Sequence, residues 1–498
     1  MFLLNQNQMK NLKMKPYTFL IICSLNFTGC MVGPNYAPPK DVLPDHFIED
    51  VLAKTELVED EDFVNWWCRF NDPLLNDLLE TALSQNYDYR IAFERIFQAR
   101  AQYWVQFTQI LPELDASITA SRFRASRSFR NMNTIDPLAP NLSPIDNFYQ
   151  MGLAAIWEID LWGKFRRGAS ASYGIWQATA FDFQGVKIVV ISDVASTYAT
   201  IRALQKRLST AEEVFKLDQN LSDLSKSRVD AGIANIQEYE SIRAIYERDA
   251  SILALAESSL KQAIYSLSTL TGILPEEIIE YFADERPIPN ASGLVPIALP
   301  SDLLRRRPDI RSAERQLAAA TEDIGIVMAD LLPTLSLTGS SGSFASNPLQ
   351  GANVGVASNR LNKLFKPESL IWGIGGFVTL PVLDFGKREA VVDQQVAIRN
   401  QSYFAYKKTV MGAIQETEQS LTAYFNQEKS LESLMRQEAT NNRLLSLITD
   451  LFQAGLSDYI EVLRAREVWL QSVNGVTDAK RALMIDLITV YKALGGNW

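Results

Sequence analysis

The chain has 498 residues, of which 48 are Lys or Arg and 58 are Asp or Glu, so its formal net charge is −10 at pH 7. An acidic balance argues against nucleic acid as a partner, and a content of 21% charged and 10% aromatic residues excludes a disordered chain. The single histidine, His46, lies in an acidic segment, whereas zinc sites and Ser-His-Asp catalysis need better-placed histidines. We therefore expect no enzyme activity, no catalytic residue and no metal site.

The first 29 residues have the form of a secretory signal peptide. A stretch with three lysines precedes the short apolar run Tyr17–Phe27. The sequence Phe27-Thr28-Gly29-Cys30 then resembles a bacterial lipobox, in which the cysteine becomes the lipidated first residue of the mature protein. We expect a covalent lipid on Cys30 and no other cofactor, although an ordinary buried cysteine is the alternative. After cleavage and acylation Cys68 is the one cysteine left, so no intramolecular disulfide can form.

Residues 30–65 are rich in proline and acidic residues, and they are predicted to form an extended tether. The rest of the chain is predicted to be two structural repeats, residues 66–298 and 299–498. In the first, Asp72 and Pro73 are the N-cap and first residue of a helix that breaks near Asn86 and reaches about Ile110.

The segments that follow these helices alternate between apolar and polar residues, as half-buried strands do. Four strands are predicted, at about 113–124, 147–158, 334–344 and 370–380. Their lengths and aromatic ends suit the wall of a transmembrane barrel, although a hairpin packed on helices would give a similar pattern. Four strands cannot close a barrel, because the smallest have about eight and lipid tolerates no open edge. Strands that cross a bilayer therefore require several copies of the chain, and three copies supply twelve.

Two long stretches without proline are predicted to form helical hairpins. Gly163-Lys164 precedes Gly386-Lys387 by 223 positions, and Ala231-Gly232 precedes Ala454-Gly455 by the same offset, so the halves form an internal repeat. Apolar residues recur with a mean spacing near that of a coiled-coil seam, about 3.5 residues. The Ala-Gly pairs predict helix ends, since glycine adopts the left-handed conformation cheaply. On periodicity alone, a simple coiled-coil rod is an open alternative.

Charged residues near the helix starts have structural interpretations. Asp160 and Asp384 follow predicted strands and are predicted to be N-caps rather than solute-binding residues. Arg305, Arg306 and Arg307 are predicted to form surface ion pairs, each worth under about 1 kcal/mol.

The chain resembles outer-membrane efflux proteins of the TolC/OprM type, in particular the lipoprotein branch of that family. The resemblance covers nearly the whole mature chain, because motifs that are weak singly occur in one order. These motifs are Cys30 with Gly33-Pro34-Asn35-Tyr36, Trp66-Trp67 with Asp72-Pro73-Leu74, Arg307-Pro308-Asp309-Ile310, Leu332-Pro333-Thr334-Leu335, Pro381-Val382-Leu383-Asp384-Phe385-Gly386 and Tyr491-Lys492-Ala493-Leu494-Gly495-Gly496.

The resemblance implies a membrane protein of the α+β class that forms a homotrimer. Its four strands per chain would build a 12-stranded barrel in the outer membrane of a Gram-negative bacterium, above a periplasmic tunnel of coiled-coil hairpins. Its partners would be a periplasmic adaptor, an inner-membrane pump of the resistance-nodulation-division class and outer-membrane lipid. The protein would be a passive conduit for small molecules. The alternatives are a channel for type I protein secretion and, from another class, a lipid-anchored scaffold without a pore.

In this family the helices close the periplasmic mouth near the second glycine-containing hairpin. The resemblance therefore implies a gate at Ile460 and Arg464, with Glu461 or Asp458 neutralising the arginine. Relatives commonly have an aspartate in a Leu-Asp-Ala-Gln run, whereas this chain has Leu463-Arg464-Ala465-Arg466, so a ring of carboxylates cannot be assumed. Ordinary solvated hairpin charges are the alternative.

A second group of charges is expected near the outer mouth of the channel. These residues, which would bias its ion preference, are Arg122, Arg124, Arg127 and Arg130.

Overall fold

A computed structural model of the chain describes residues 31–40, 48, 65–124, 145–290, 306–342, 367, 370–457 and 459–496. These residues form eight α-helices and four β-strands, with 3₁₀ turns at Trp66–Phe70 and Glu280–Phe282. The helices are α1 Pro73–Gln85, α2 Tyr87–Thr108, α3 Lys164–Asp230, α4 Ile236–Thr271, α5 Pro275–Ile278, α6 Pro308–Ala329, α7 Lys387–Gln453 and α8 Tyr459–Ala493. The strands are β1 Glu113–Arg124, β2 Ile145–Ile159, β3 Thr334–Gly342 and β4 Ile371–Thr379. The predicted signal peptide and Cys30 lie outside the described residues.

The chain divides into two compact units, each assembled from both halves of the repeat. The sheet unit comprises Met1–Ala37, Ala101–Gly174 and Ala318–Asn400. The helical unit comprises Pro38–Arg100, Ile175–Leu317 and Gln401–Trp498. The predicted repeats at 66–298 and 299–498 are divisions of the sequence, whereas each compact unit contains segments from both of them.

The sheet unit contains one four-stranded antiparallel sheet with strand order β1-β2-β3-β4. Its central pair joins the two halves of the repeat, since β2 of the first half pairs with β3 of the second from Ile159↔Leu335 to Gly152↔Gly342. The predicted α+β class with four strands is confirmed, and each half of the repeat contributes one hairpin to the sheet.

The strand register aligns the alternation of all four strands. Leu114 of β1 is opposite Ala155 of β2, which is opposite Gly339 of β3, which is opposite Ile374 of β4. Directly opposed residues share a face of an antiparallel sheet, so most of the large apolar side chains of the four strands lie on one face, whereas Ile156, Ile371 and Phe377 lie on the other. The apolar face carries Leu114, Ala116, Ile118, Met151, Leu153, Trp157, Leu335, Leu337, Trp372, Ile374 and Val378. The opposite face is mostly polar or glycine, with Asp115, Ser117, Thr119, Gln150, Ser336, Thr338 and Gly375.

Large side chains on the apolar face are exposed in the single chain. Ile374 is 84% exposed, Ile118 is 82% exposed and Trp372 is 70% exposed. A contiguous exposed apolar surface marks a site that contacts a membrane or another protein. Within the described part of the chain, no helix combines the length and the apolar character that crossing a membrane requires.

The helical unit has a buried apolar core, in which residues before its first helix pack against residues of its last helix. Trp66 stacks on Tyr491 with ring centroids 4.7 Å apart. Asp72 caps α1 as predicted, since its carboxylate accepts from the Leu74 amide at 3.1 Å. The predicted break at Asn86 is also present between α1 and α2, where its side chain accepts from the Tyr89 amide at 2.8 Å.

The two long hairpins have matching lengths and turns. Helices α3 and α7 each have 67 residues. Each ends two residues before a glycine with a φ of 72°, Gly232 in the first hairpin and Gly455 in the second. This left-handed conformation is costly for residues with a Cβ, so the predicted helix ends at the Ala-Gly pairs are confirmed.

Asp160 and Asp384 lie at the starts of α3 and α7. Asp160 accepts from the backbone amides of Phe165 at 3.3 Å and Arg166 at 3.0 Å, as the capping prediction requires. Asp384 instead accepts from the Gly386 amide at 3.1 Å, which stabilises the turn before the helix.

The prediction of surface ion pairs is wrong for Arg307. Its side chain is only 11% exposed and donates to the carbonyl oxygen of Ala493 at 2.7 Å. Asp309 at 2.8 Å and Glu416 at 2.7 Å accept from the same guanidinium. The arginine therefore connects the end of α8 to the start of α6. A run of basic residues in the sequence does not predict such a buried contact.

Candidate functional site

The strongest candidate site is the end of the helical unit where both long hairpins turn. The first turn leads into α4, whose N-cap Asn235 accepts from the Gln237 amide at 3.0 Å. The second turn leads into α8 at Tyr459. The sequence-predicted gate residues all belong to this second turn and to the first turns of α8.

Three of the four predicted gate residues are described. Ile460 is 43% exposed, and Arg464 is exposed one helical turn later. Glu461 accepts from the Ser457 hydroxyl at 2.7 Å. Asp458 lies outside the described residues, and within them the structure records no ion pair for Arg464. The predicted Arg464–acid network therefore stays a prediction.

A different charge network connects α3, α4 and α8 near the same turn. Arg466 of α8 forms an ion pair with Asp218 of α3, whose side chain is 1% exposed. On α4, Asp249 accepts from its neighbour Arg248 at 2.8 Å, and Arg248 also contacts Glu467 of α8 at 3.1 Å. Three carboxylates and two guanidinium groups thus join the three helices.

One of the two buried carboxyl groups of this network, that of Asp218, has a raised pKa. Burial is the largest cause that raises the pKa of Asp218 to about 6, and the neighbouring Asp249 raises it further, while Arg466 opposes both. Burial also raises the pKa of the nearby Tyr459 hydroxyl. Protonation of Asp218 removes a negative charge that burial disfavours, so the network contains a group that titrates near neutral pH.

A groove of about 890 Å³ lies beside the network and is lined by residues of α3, α4 and α8. Its walls combine apolar side chains such as Ile245, Ile252 and Leu463 with the charged Arg464 and Glu467. The predicted gate residue Ile460 also lines it. The groove, the gate residues and the charge network therefore occupy one end of the helical unit.

At the far end of the sheet, two of the four predicted outer-mouth arginines are described. Arg122 is exposed on β1, opposite Asn147 of β2, and the backbone of Arg124 pairs with that of Ile145. Arg127 and Arg130 lie outside the described residues. The two described arginines are among the last three residues of β1.

The described residues contain no cluster of three or more His, Cys, Asp or Glu side chains that could hold a metal ion. The cysteine that is described, Cys68, is free and exposed. The candidate site is therefore built from helix packing and ion pairs.

Sequence reasoning missed the Asp218 network, although the sequence contained a signal. Ile201, Leu208 and Phe215 occupy the apolar seam of α3, and Asp218 occupies the next seam position. A single polar residue in a coiled-coil seam typically specifies register or a partner contact. The partner, Arg466, lies 248 positions away, so its identity required the fold.

A family model described as outer membrane efflux protein matches residues 78–273 and 299–496. The chain is also 30% identical to the solvent efflux pump outer membrane protein SrpC of Pseudomonas putida over 431 residues, which cover 86% of each chain.

Solved structures show the same fold. The CmeC outer membrane channel of Campylobacter jejuni is 25% identical and aligns with a TM-score of 0.83, covering 94% of this chain and 95% of CmeC. The open state of the MtrE outer membrane channel of Neisseria gonorrhoeae is also 25% identical, with a TM-score of 0.77 over 94% of this chain and 98% of MtrE.

Proposed function

Because the chain belongs to the outer membrane efflux protein family, we propose that it is the outer-membrane channel of a tripartite efflux pump. It acts as a passive conduit that carries small molecules to the cell exterior. The family is one of efflux channels rather than enzymes, and the relative SrpC is named as part of a solvent efflux pump. Transport energy then enters elsewhere, at an inner-membrane partner.

The single observation that carries this proposal is the common register of the four strands. Transmembrane barrel strands alternate between a lipid-facing apolar side and a lumen-facing polar side. Here one sheet face carries Leu114, Ile118, Trp372 and Ile374, and the other face is mostly polar or glycine. A sheet of this kind can cover its apolar face with lipid while its polar face lines water.

The open edges of the sheet support a homotrimer. Among the described strands, β1 and β4 each have one edge without a partner strand. Unpaired backbone amides and carbonyls cost several kcal/mol each in hydrocarbon, so the edges require strands from other copies. Three copies give twelve strands, which closes the wall by cyclic symmetry.

The long hairpins support partners below the membrane. Helices of 67 residues extend from the strand ends, and the candidate gate lies at their far turns. We assign a periplasmic adaptor and an inner-membrane pump of the resistance-nodulation-division class as the partners. They open the channel at the hairpin turns and deliver the transported molecules to it. Ile460 and Arg464, with Glu461 and Asp458, form the proposed gate itself.

The proposed attachment to the membrane has a second component. A lipid on Cys30 anchors the mature N-terminus, since each buried CH₂ contributes about 0.8 kcal/mol. The lipobox-like sequence before Cys30 supports this assignment. The protein is then held in the outer membrane both by its strands and by its acyl chains.

Site-directed labelling tests the lipid-facing assignment. In a Cys68→Ser background, single cysteines replace Ile118 and Ile374 on the apolar face or Thr119 and Gly375 on the polar face. A membrane-impermeant, water-soluble thiol reagent should modify the two polar-face cysteines in outer-membrane vesicles and leave the apolar-face cysteines unmodified. Equal modification of all four positions would overturn the proposal, because the sheet would then not separate lipid from water.

A further inference from the structure

The residues that follow Cys30 are bound in the sheet unit as an extended peptide. The Val32 amide donates to the carbonyl oxygen of Trp162 at 3.0 Å, at the junction between β2 and α3. The next residues, Gly33 and Asn35, contact one arginine side chain from α3. This segment is therefore tied to the sheet unit by hydrogen bonds.

Arg167 is the centre of that contact. It is 1% exposed, and its guanidinium donates to the carbonyl oxygens of Val32 and Gly33, both at 3.2 Å, and to Oδ1 of Asn35 at 2.9 Å. Its remaining partner is Glu322 of α6, at 2.7 Å. A buried guanidinium is costly unless its N–H groups are paired, and three of the four acceptors here belong to the N-terminal segment.

Glycines allow close contact between the segment, α6 and the residue before α3. A Cβ on Gly33 would lie 2.6 Å from Cα of Gly325, and a Cβ on Gly325 would lie 2.8 Å from both Nε of Arg167 and the carbonyl oxygen of Val32. A Cβ on Gly163 would lie 2.7 Å from the side chain of Met31. Distances below 3 Å exclude a methyl group, so the peptide, the arginine and the glycines fit one another closely.

We propose that Arg167, Glu322, Gly163 and Gly325 form a receptor for the chain's own segment Met31–Asn35, which fixes the point where the lipid leaves the protein. The inference rests on the proposed lipidation, because Cys30 is bonded directly to Met31. Arg167 is thus a positioning residue for the anchor. It belongs to the first half of the repeat and Glu322 to the second, so both halves must fold before the receptor exists.

The receptor binds the peptide through its backbone and Asn35, so its occupation does not require the acyl chain. A lipid alone would leave the tether free to move around its attachment point. With the receptor occupied, the acyl chains leave beside the Trp162–Gly163 junction, at the strand end from which α3 begins. The position at which the acyl chains enter the membrane is then fixed relative to the sheet.

Hydrogen exchange of the full-length lipidated trimer in detergent tests the receptor. Arg167→Met should accelerate exchange of a peptide that covers residues 31–37 by about tenfold or more, because three hydrogen bonds are lost. Arg166→Met is the matched control, since Arg166 is the neighbouring arginine and pairs with Asp160 at 3.1 Å. The control should leave exchange of that peptide within about twofold of the native rate.

Two further variants separate the receptor from the lipid and from folding. Cys30→Ser removes the acylation site and should leave the exchange of residues 31–37 protected. Asn35→Ala removes one acceptor without changing the helices, and its exchange should be faster than in the native protein but slower than in Arg167→Met. It also provides the test if Arg167→Met does not fold. Unchanged exchange in both Arg167→Met and Asn35→Ala would overturn the receptor, as would loss of protection in Cys30→Ser. Conductance measured on the same samples reports on the channel proposal separately.

Discussion

Asn86 and Arg307 are 221 positions apart and make equivalent contacts in the two halves of the repeat. Asn86 precedes α2 and donates to the carbonyl oxygen of Leu270, near the end of α4, at 2.8 Å. Arg307 precedes α6 and donates to the carbonyl oxygen of Ala493, at the end of α8, at 2.7 Å. The contact satisfies a carbonyl that a helix end leaves without an intrahelical partner. Different side chains thus make the same kind of contact in the two halves.

Removal of these contacts should destabilise the helical unit unequally. Arg307→Met should lower the free energy of unfolding by about 2–3 kcal/mol, because it removes the ion pairs with Asp309 and Glu416 and the hydrogen bond to the Ala493 carbonyl. Asn86→Ala should cost about 1–2 kcal/mol. Thermal loss of helical circular dichroism measures both.

The control for this pair is Arg443→Met. Arg443 is exposed on α7 and donates to the Ala439 carbonyl of its own helix, so the substitution should change stability by less than about 0.5 kcal/mol. An equal loss in Arg443→Met and Arg307→Met would mean that the buried contact contributes nothing specific.

Charge reversal at Arg464 tests the proposed gate. Arg464→Glu should change the frequency of closed states in single-channel recordings, because three symmetry-related charges near the axis would change sign. Arg436→Glu is the control, since Arg436 is a solvated arginine on α7 that pairs with Glu432 of its own helix. If Arg464→Glu leaves both conductance and closed-state frequency unchanged, Arg464 does not belong to the gate.

Closure of the helical end should depend on pH through Asp218. Its pKa is raised from 3.8 to about 6, with burial as the largest cause, so the folded state binds the proton more tightly than the unfolded state. The resulting stabilisation is complete below about pH 4 and is lost as the pH rises through about 6. Open states should therefore be more frequent at about pH 7.5 than at about pH 5.

Asp218→Asn removes the titrating group while keeping the size of the side chain, and should flatten this pH dependence. Asp223→Asn is the control, because Asp223 is exposed on the same helix. Recordings at the two pH values compare the variants. A pH dependence that persists unchanged in Asp218→Asn would show that Asp218 is not the titrating group.

Neutralisation of the outer-mouth arginines should shift ion preference towards cations. The combined variant replaces Arg122, Arg124, Arg127 and Arg130 with glutamine. Loss of positive charge beside a pore lowers the local anion concentration, so the reversal potential in a salt gradient should move in the cation-selective direction. Arg95→Gln, an exposed substitution on α2, should leave the potential unchanged. A reversal potential unaffected by the fourfold change would remove these residues from the conduction path.

The sequence was most informative where a structure depends on local pattern. Period-two alternation located the four strands, and the Ala-Gly pairs located the turns at Gly232 and Gly455. Buried ion pairs were not predictable in this way, because their partners are distant in sequence. Arg167 and Glu322 are 155 positions apart, and a charged residue on a helix looks the same in sequence whether solvent or another helix covers it.

The gate shows the same limit. The family resemblance led to Arg464, which is exposed, whereas Arg466, two residues later, forms the buried contact with Asp218. Two helix positions that are two residues apart differ in direction by about 200°, so packing decides which of the two arginines is buried. Motif position alone could not make that distinction.

The most direct test of the account is electrical recording from the purified mature protein. Reconstituted in planar bilayers, it should assemble as a trimer by mass and open discrete ion-conducting channels. A protein that remains monomeric in detergent and produces no conductance, with its apolar sheet face still intact, would contradict the central claim that three copies close one pore.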